Sequence, residues 1–129
     1  MEQPAGNKIT GNPSSHPALS VKWVEDFPDI PLNRNEAYKL RVTSKGVEIE
    51  AITETGVYRA IQTLRQLTEK KGNGIASTGC EITDWPAFRI RGFMQDVGRT
   101  YISTDELKRE IAILARYKIN VFHWHLTEN

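Results

Sequence analysis

Arg99 carries a guanidinium whose rigid fork of donors suits two vicinal hydroxyls, and Asp96 stands three residues before it, placed either to orient that fork or to cap the intervening loop. A second polar group, Thr127-Glu128-Asn129, follows the run Asn120-Val121-Phe122-His123-Trp124-His125-Leu126. His123 and His125 alternate, so on a strand both rings share one side, a geometry that zinc sites also use. A metal needs a third protein ligand, but His16 lies in a loose leader and Cys80 stands in another part of the chain. No metal site is expected, and the two histidines are read as filling a small polar layer with Trp124 on the opposite side. On residue type alone, a surface loop arginine and an exposed strand-end carboxylate compete as readings of Arg99 and Glu128.

Two strands and a helix must position these groups. Arg89-Ile90-Arg91-Gly92-Phe93-Met94-Gln95 reads as a strand breaking into Asp96-Val97-Gly98-Arg99, and Asn120 to Leu126 reads as a second strand. Between them Ser103, with Glu106 three positions on, makes a capping box, and Asp105 is favourable at the positive end of the helix dipole. Leu107, Ile111, Leu114 and Ala115 form one apolar stripe. Strand, helix and strand of these lengths imply a right-handed βαβ crossover with parallel strands. Asp96, Arg99 and Glu128 then converge at strand C-termini, where parallel α/β proteins place their chemistry. Asp105-Glu106 sits in the first helical turn and serves the helix.

Upstream, residues 1–20 are rich in Pro, Gly, Ser and Asn and read as a flexible leader or weakly held edge segment. Val21 to Val24 is a short strand, and the two prolines of Phe27-Pro28-Asp29-Ile30-Pro31 exclude helix interior and central strand. Tyr38 to Thr43 and Val47 to Ile52 form a hairpin around Ser44-Lys45-Gly46, with Tyr38, Leu40 and Val42 on one buried face. From Thr55, Val57, Ala60, Ile61, Leu64 and Leu67 recur at helical spacing and would cover that face, while Arg59, Gln62, Arg65 and Gln66 fall largely on other faces. Lys70-Lys71 reads as the helix's cationic C-terminal turn, Lys70 to Gly74 as its stop, and Ile75 to Ile82 as a further strand. Asp84-Trp85-Pro86 turns the chain toward the last segment. The organisation expected is a leader (1–20), a small α/β domain (21–85) and a strand-helix-strand segment (86–129).

A length of 129 residues suits one ordinary domain and is too short for two substantial ones. A net charge of +1, from 17 basic and 16 acidic residues, argues for neither nucleic acid nor an anionic membrane surface as partner. The single Cys80 excludes an internal disulfide framework and is most simply a buried strand residue. The opening residues lack a basic start and an apolar run, so no signal peptide is read there, and no later stretch is apolar enough to span a bilayer; the chain reads as soluble.

Arg91-Gly92-Phe93-Met94-Gln95-Asp96-Val97-Gly98-Arg99, followed after one helix by Phe122-His123-Trp124-His125-Leu126-Thr127-Glu128, resembles the opening of the catalytic barrel of family 20 glycoside hydrolases, the β-N-acetylhexosaminidases. Glu36 to Thr43, Gly46 to Glu50 and Gly56 to Leu67 resemble the small domain that precedes that barrel. The resemblance implies an α+β domain, an antiparallel sheet with a helix, followed by the first strand, helix and strand of a truncated (β/α)₈ TIM barrel. That barrel needs on the order of 250 residues in full.

The resemblance also implies hydrolysis of terminal β-linked N-acetylhexosamine with retention, the substrate's own acetamido oxygen acting as nucleophile. Arg99 would grip the ring hydroxyls of the non-reducing sugar, with Asp96, His125 and Glu128 as supports behind it. In the family the acidic residue at the position of Glu128 hydrogen-bonds a histidine that touches the catalytic acid; Asp-Asp is the commoner pair there, and Glu128-Asn129 differs in reach and charge. The family's catalytic Asp-Glu pair follows a later barrel strand and no stretch here matches it, so this chain alone is expected to be inactive. No cofactor is implied, the partner is an N-acetylhexosamine-containing glycan, and a periplasmic or extracellular setting is implied for many members. Two parallel strands with one helix leave an open edge and an uncovered apolar face, to be met by packing on the small domain or by pairing with another copy. A non-catalytic structural or carbohydrate-binding module is the competing class.

Overall fold

The Tyr38-Leu40-Val42 alternation does organise the first part of the chain. In the computed structural model, which describes residues 8–9 and 18–127, the residues of β3 (Tyr38–Thr43) alternate between the interior and the more open face. β3 pairs antiparallel with β4 (Gly46–Ala51), Leu40 opposite Ile49, and on its other side antiparallel with β7 (Cys80–Asp84), Leu40 opposite Ile82. β2 (Ala18–Trp23) runs parallel to β4 and completes the order β2-β4-β3-β7. It begins at Ala18, within the stretch read as leader, and Lys22 at this edge meets Glu50 across the strands at 2.7 Å.

Helix α1 (Glu54–Leu67) lies on the apolar face of this sheet. Thr53 is its N-cap, the hydroxyl accepting from the Gly56 N–H at 3.3 Å and donating to the Asn35 carbonyl. The core holds Tyr38, Leu40, Val42, Ile49, Ala51 and Ala60, with Val57, Ile61, Leu64 and Leu67 from the helix packed against it. At Gly56 the helix lies hard against its neighbours: a Cβ there would stand 2.5 Å from the Ala37 carbonyl oxygen and 3.1 Å from the Ala51 Cβ. The Tyr38 hydroxyl ties three elements, sharing a 2.6 Å hydrogen bond with Thr63 and donating to Asp84 at 2.9 Å.

Arg59 and Gln62 correct the expectation that they lie away from the interior, for they are 6% and 4% exposed. The Arg59 Nε meets a Glu36 carboxylate oxygen at 2.9 Å, and Glu36 ends the 3-10 turn Arg34–Glu36. That turn leads into a second small core of Phe27, Ile30 and Ala37, flanked by Val24 and Ile52. A long cationic side chain is therefore held inside by a carboxylate that lies 23 residues away in sequence.

Lys70 and Lys71 also differ from expectation. The helix stops at Leu67, and both lysines belong to β5 (Thr68–Lys71), which turns through Gly72 at φ +59 into β6 (Gly74–Thr78). β6 also pairs with β1 (Lys8–Ile9), itself within the stretch read as leader. The single strand expected from Ile75 to Ile82 is thus two strands in different sheets, parted at Gly79. A glycine lowers the stiffness of an apolar run enough for it to change partners.

The chain divides between Ala87 and Phe88 into two compact units. In the second, β8 (Gly92–Asp96) and β9 (Val121–His125) form a parallel pair joined by helix α2 (Thr104–Arg116). The capping box is present in full: the Ser103 hydroxyl accepts from Glu106 N–H at 3.2 Å, and the Glu106 carboxylate accepts from Ser103 N–H at 3.1 Å. The helix ends without glycine. Lys118 takes φ +60, its N–H donates to the Ala115 carbonyl at 3.0 Å, and the Ile119 N–H donates to that of Leu114 at 3.1 Å, which is a Schellman ending.

β8 starts three residues later than the run from Arg89 suggests, because that stretch is occupied elsewhere. The Asn120 side chain accepts from Arg91 N–H at 2.8 Å and donates to the Arg89 carbonyl at 2.8 Å. The Arg91 guanidinium in turn donates to the carbonyls of Lys118 and Phe88, both at 2.7 Å. Leu107 is buried, while Ile111, Ile113, Trp124 and Leu126 are each about half exposed, between 48% and 57%. Among the described residues no helix is long and apolar enough to cross a membrane.

Candidate functional site

The register of β8 against β9 pairs Met94 with His123 and Asp96 with His125. Strand alternation puts these four side chains on one face and Phe93, Gln95, Phe122 and Trp124 on the other. Phe93 and Phe122 are stacked, with centroids 6.3 Å apart at 13° between planes, and the His123 and His125 rings are 6.3 Å apart at 55°. The two histidines therefore share a side, as their spacing requires, with Trp124 opposite. Among the described residues no group of three or more His, Cys, Asp or Glu side chains is gathered as a metal site would require.

Asp96 is the centre of the polar cluster at the strand ends. Its Oδ1 accepts from the Gly98 N–H at 2.9 Å and lies 3.7 Å from His125 Nδ1, while its Oδ2 lies 3.6 Å from Arg99 Nε. The turn is anchored a second time by Val97 N–H, which donates to the His125 carbonyl at 2.9 Å. Partial burial opposes ionisation of Asp96 and is the largest single influence on it. The backbone N–H groups of Gly98 and Arg99, followed by the electrostatic influence of nearby His125 and Arg99, outweigh that burial and hold its carboxyl below the ordinary range. Asp96 is thus a carboxylate held charged among donors. The Arg99 side chain is 71% exposed against 26% for Asp96, so the guanidinium reaches outward from a half-buried anchor.

Asp96, Arg99 and His125 are therefore brought together. Glu128, the remaining support read from the sequence, lies outside the described residues, as does His16. Asp105 and Glu106 stand in the first turn of α2, where Glu106 completes the cap and Asp105 faces Lys108 at 3.8 Å. Cys80 is half-buried in β7, and burial pushes its thiol up from the ordinary value. The pair that sequence reasoning missed is Arg91 with Asn120, which set the register that brings Asp96 opposite His125. Its one local signal is a polar Asn120 at the head of an apolar strand.

Comparison with known proteins agrees with this division of the chain. Residues 4–85 match the family model described as glycosyl hydrolase family 20, domain 2, and residues 88–129 match glycosyl hydrolase family 20, catalytic domain. The chain is 41% identical to a β-hexosaminidase of Porphyromonas gingivalis, over 99% of this chain and 16% of that protein. It is 39% identical to a β-N-acetylhexosaminidase of Cellulomonas fimi, over 87% of this chain and 23% of that one. The β-N-acetylhexosaminidase structure from Bacteroides fragilis superposes with a TM-score of 0.75 at 37% identity, covering 85% of this chain and 21% of its own. The exo-β-N-acetylglucosaminidase of Vibrio harveyi, solved with N-acetylglucosamine, superposes at 0.71 and 37% identity, covering 85% of this chain and 16% of its own. The chain spans between 16% and 23% of the length of these two curated relatives. A mixed α/β architecture that superposes on such structures, with two successive stretches each matching a part of one family, makes this chain a member of glycosyl hydrolase family 20.

Proposed function

We propose that the chain is the portion of a β-N-acetylhexosaminidase that combines the small α/β domain (residues 21–85) with the first strand, helix and strand of the catalytic (β/α)₈ barrel (residues 86–129). The reaction is hydrolysis of terminal, non-reducing β-linked N-acetylhexosamine with retention, the substrate's acetamido group acting as nucleophile. The observation that carries this reading is the cluster at the C-terminal ends of β8 and β9, where an exposed arginine is held beside a half-buried carboxylate and a histidine. Barrel enzymes assemble their sites at that end.

In this reading Arg99 holds two vicinal ring hydroxyls with its planar fork, which fixes the sugar before chemistry begins. Asp96 and His125 support it, and Glu128 acts on the catalytic acid through a histidine. The protonating carboxylic acid and the aspartate that steadies the acetamido group belong to barrel segments other than this one, so these 129 residues alone do not turn over substrate.

The test is hydrolysis of a chromogenic β-N-acetylglucosaminide by this chain beside a version extended through the rest of the barrel. Activity in the extended version alone is the expected result. Activity in neither would overturn the reading and leave a structural or carbohydrate-binding module, with Arg99-dependent sugar affinity separating those two.

A further inference from the structure

We propose that Asp96 is a positioning residue whose two carboxylate oxygens have separate tasks: Oδ1 fixes the backbone of the turn after β8, and Oδ2 aims the Arg99 guanidinium at the sugar. This rests on the reading of Arg99 as the sugar ligand, and it explains how an exposed arginine three residues beyond a strand end is presented in one direction. An arginine has many rotamers, and holding it in one costs entropy unless the protein has already ordered it.

The ordering is visible in the three amides that follow Asp96. Val97 N–H donates to the His125 carbonyl at 2.9 Å, Gly98 N–H donates to Asp96 Oδ1 at 2.9 Å, and the Arg99 backbone also hydrogen-bonds Asp96. The turn is thereby tied to β9 as well as to its own strand. Oδ2 lies 3.6 Å from Nε, the nitrogen at the root of the guanidinium, so its pull sets the direction of the planar fork. His125 Nδ1 faces Oδ1 from the β9 side at 3.7 Å.

Because the tasks fall on different atoms, substitutions separate them. Asparagine keeps an acceptor for Gly98 and removes the charge that draws Arg99, whereas alanine removes both. In the protein extended through the barrel, with N-acetylglucosamine as the probe in calorimetric titration, D96N weakens binding about five- to tenfold, within the range of coupling between contacting residues. D96A weakens it further. In the R99Q background, where no cation remains for Oδ2 to draw, D96N adds no further loss, a dependence that a general loss of structure would not produce. In the 129-residue chain, Gly98 amide exchange accelerates in D96A and is unchanged in D96N, and this measurement carries the test should D96A fail to fold in the extended protein.

Sugar binding unchanged in D96N and D96A but lost in R99A would overturn the role of Asp96 and leave the reading of Arg99 standing. Binding unchanged in R99A would overturn both. Equal losses from D96N with and without R99Q would overturn the proposal by showing that Asp96 does not act through Arg99.

Discussion

Replacing Gly56 by alanine tests whether the closeness of α1 to the sheet is a requirement of this fold. The new Cβ would stand 2.5 Å from the Ala37 carbonyl oxygen and 3.1 Å from the Ala51 Cβ, well inside the 3.4 Å at which ordinary contact begins. Neither neighbour yields easily. Ala37 is fully buried, its N–H is bonded to the Arg34 carbonyl at 3.0 Å, and it is followed by Tyr38, whose hydroxyl is fixed between Thr63 and Asp84. The helix must therefore lift, loosening Val57, Ala60 and Ile61 from the sheet. Overpacking of this kind costs about 1–3 kcal/mol, and the helical preference of alanine over glycine returns at most about 1 kcal/mol. Because the 2.5 Å contact is with backbone, the upper part of the overpacking range, about 2–3 kcal/mol, applies, and the net loss is about 1–2 kcal/mol, seen in urea as a midpoint lower by about 0.5–1 M with unchanged slope. Gly74→Ala is the control, since the nearest atom to a Cβ there is the Lys71 carbonyl oxygen at 3.9 Å, and it should be close to neutral. A G56A chain as stable as the parent, by circular dichroism and tryptophan fluorescence together, would refute the reasoning.

Ser103→Ala removes the hydroxyl half of the capping box of α2 and should cost about 1 kcal/mol; the bond from the residue-103 N–H to the Glu106 carboxylate survives it, so E106A should add a further loss to S103A in a double-mutant cycle by thermal melts. Lys118→Gly relieves a side chain from φ +60 at the helix end, so it should stabilise the second unit by up to about 1 kcal/mol; a lower melting temperature would count against the Schellman assignment. The folded state holds the carboxyls of Asp96, through its backbone donors against opposing burial, and of Glu106, through the Ser103 hydroxyl first, below their ordinary values. Their contribution to stability is therefore present above the unfolded pKa values, near 4, and lost as pH falls through the lower folded ones. D96N should flatten that acid limb in a pH series of urea midpoints. The outer edges of β8 and β9, which pair with no further strand among the described residues, together with half-exposed Trp124 and Leu126, should make the 129-residue chain self-associate, and sedimentation equilibrium showing one monomeric species at high concentration would refute this.

What was legible in the sequence was whatever is decided over a few residues. The Ser103-Glu106 box and the Tyr38-Leu40-Val42 alternation need no distant partner, and both appear in the structure as their spacing requires. Lys70-Lys71 misled because cations suit a helix end, whereas the actual stop is Thr68 entering an extended strand. Arg59 misled because amphipathic reasoning sends arginine outward, and the Glu36 that holds it inside is remote in sequence. At the candidate site, parallel pairing placed Asp96, Arg99 and Glu128 at one edge in the sequence reading; Glu128 lies outside the described residues, while Asp96 and Arg99 do meet there, with His125 across the strands. Their distances were not readable, because they follow from a register fixed by Arg91 and Asn120 at the other end of the strands.

That Arg91 and Asn120 fasten the two strands at their starts bears on how the sheet could grow. The lock is made of one side chain from just before each strand acting on backbone, and among the described residues the outer edges of β8 and β9 pair with no further strand. A strand that adds to either edge meets a ladder whose phase is already set, so it has one in-register choice that keeps inward and outward side chains consistent, and a slip by one residue would invert them all. The pair thus works as a seed: it dictates alignment to whatever pairs next, before the chemical end of the strands has any part in the assembly.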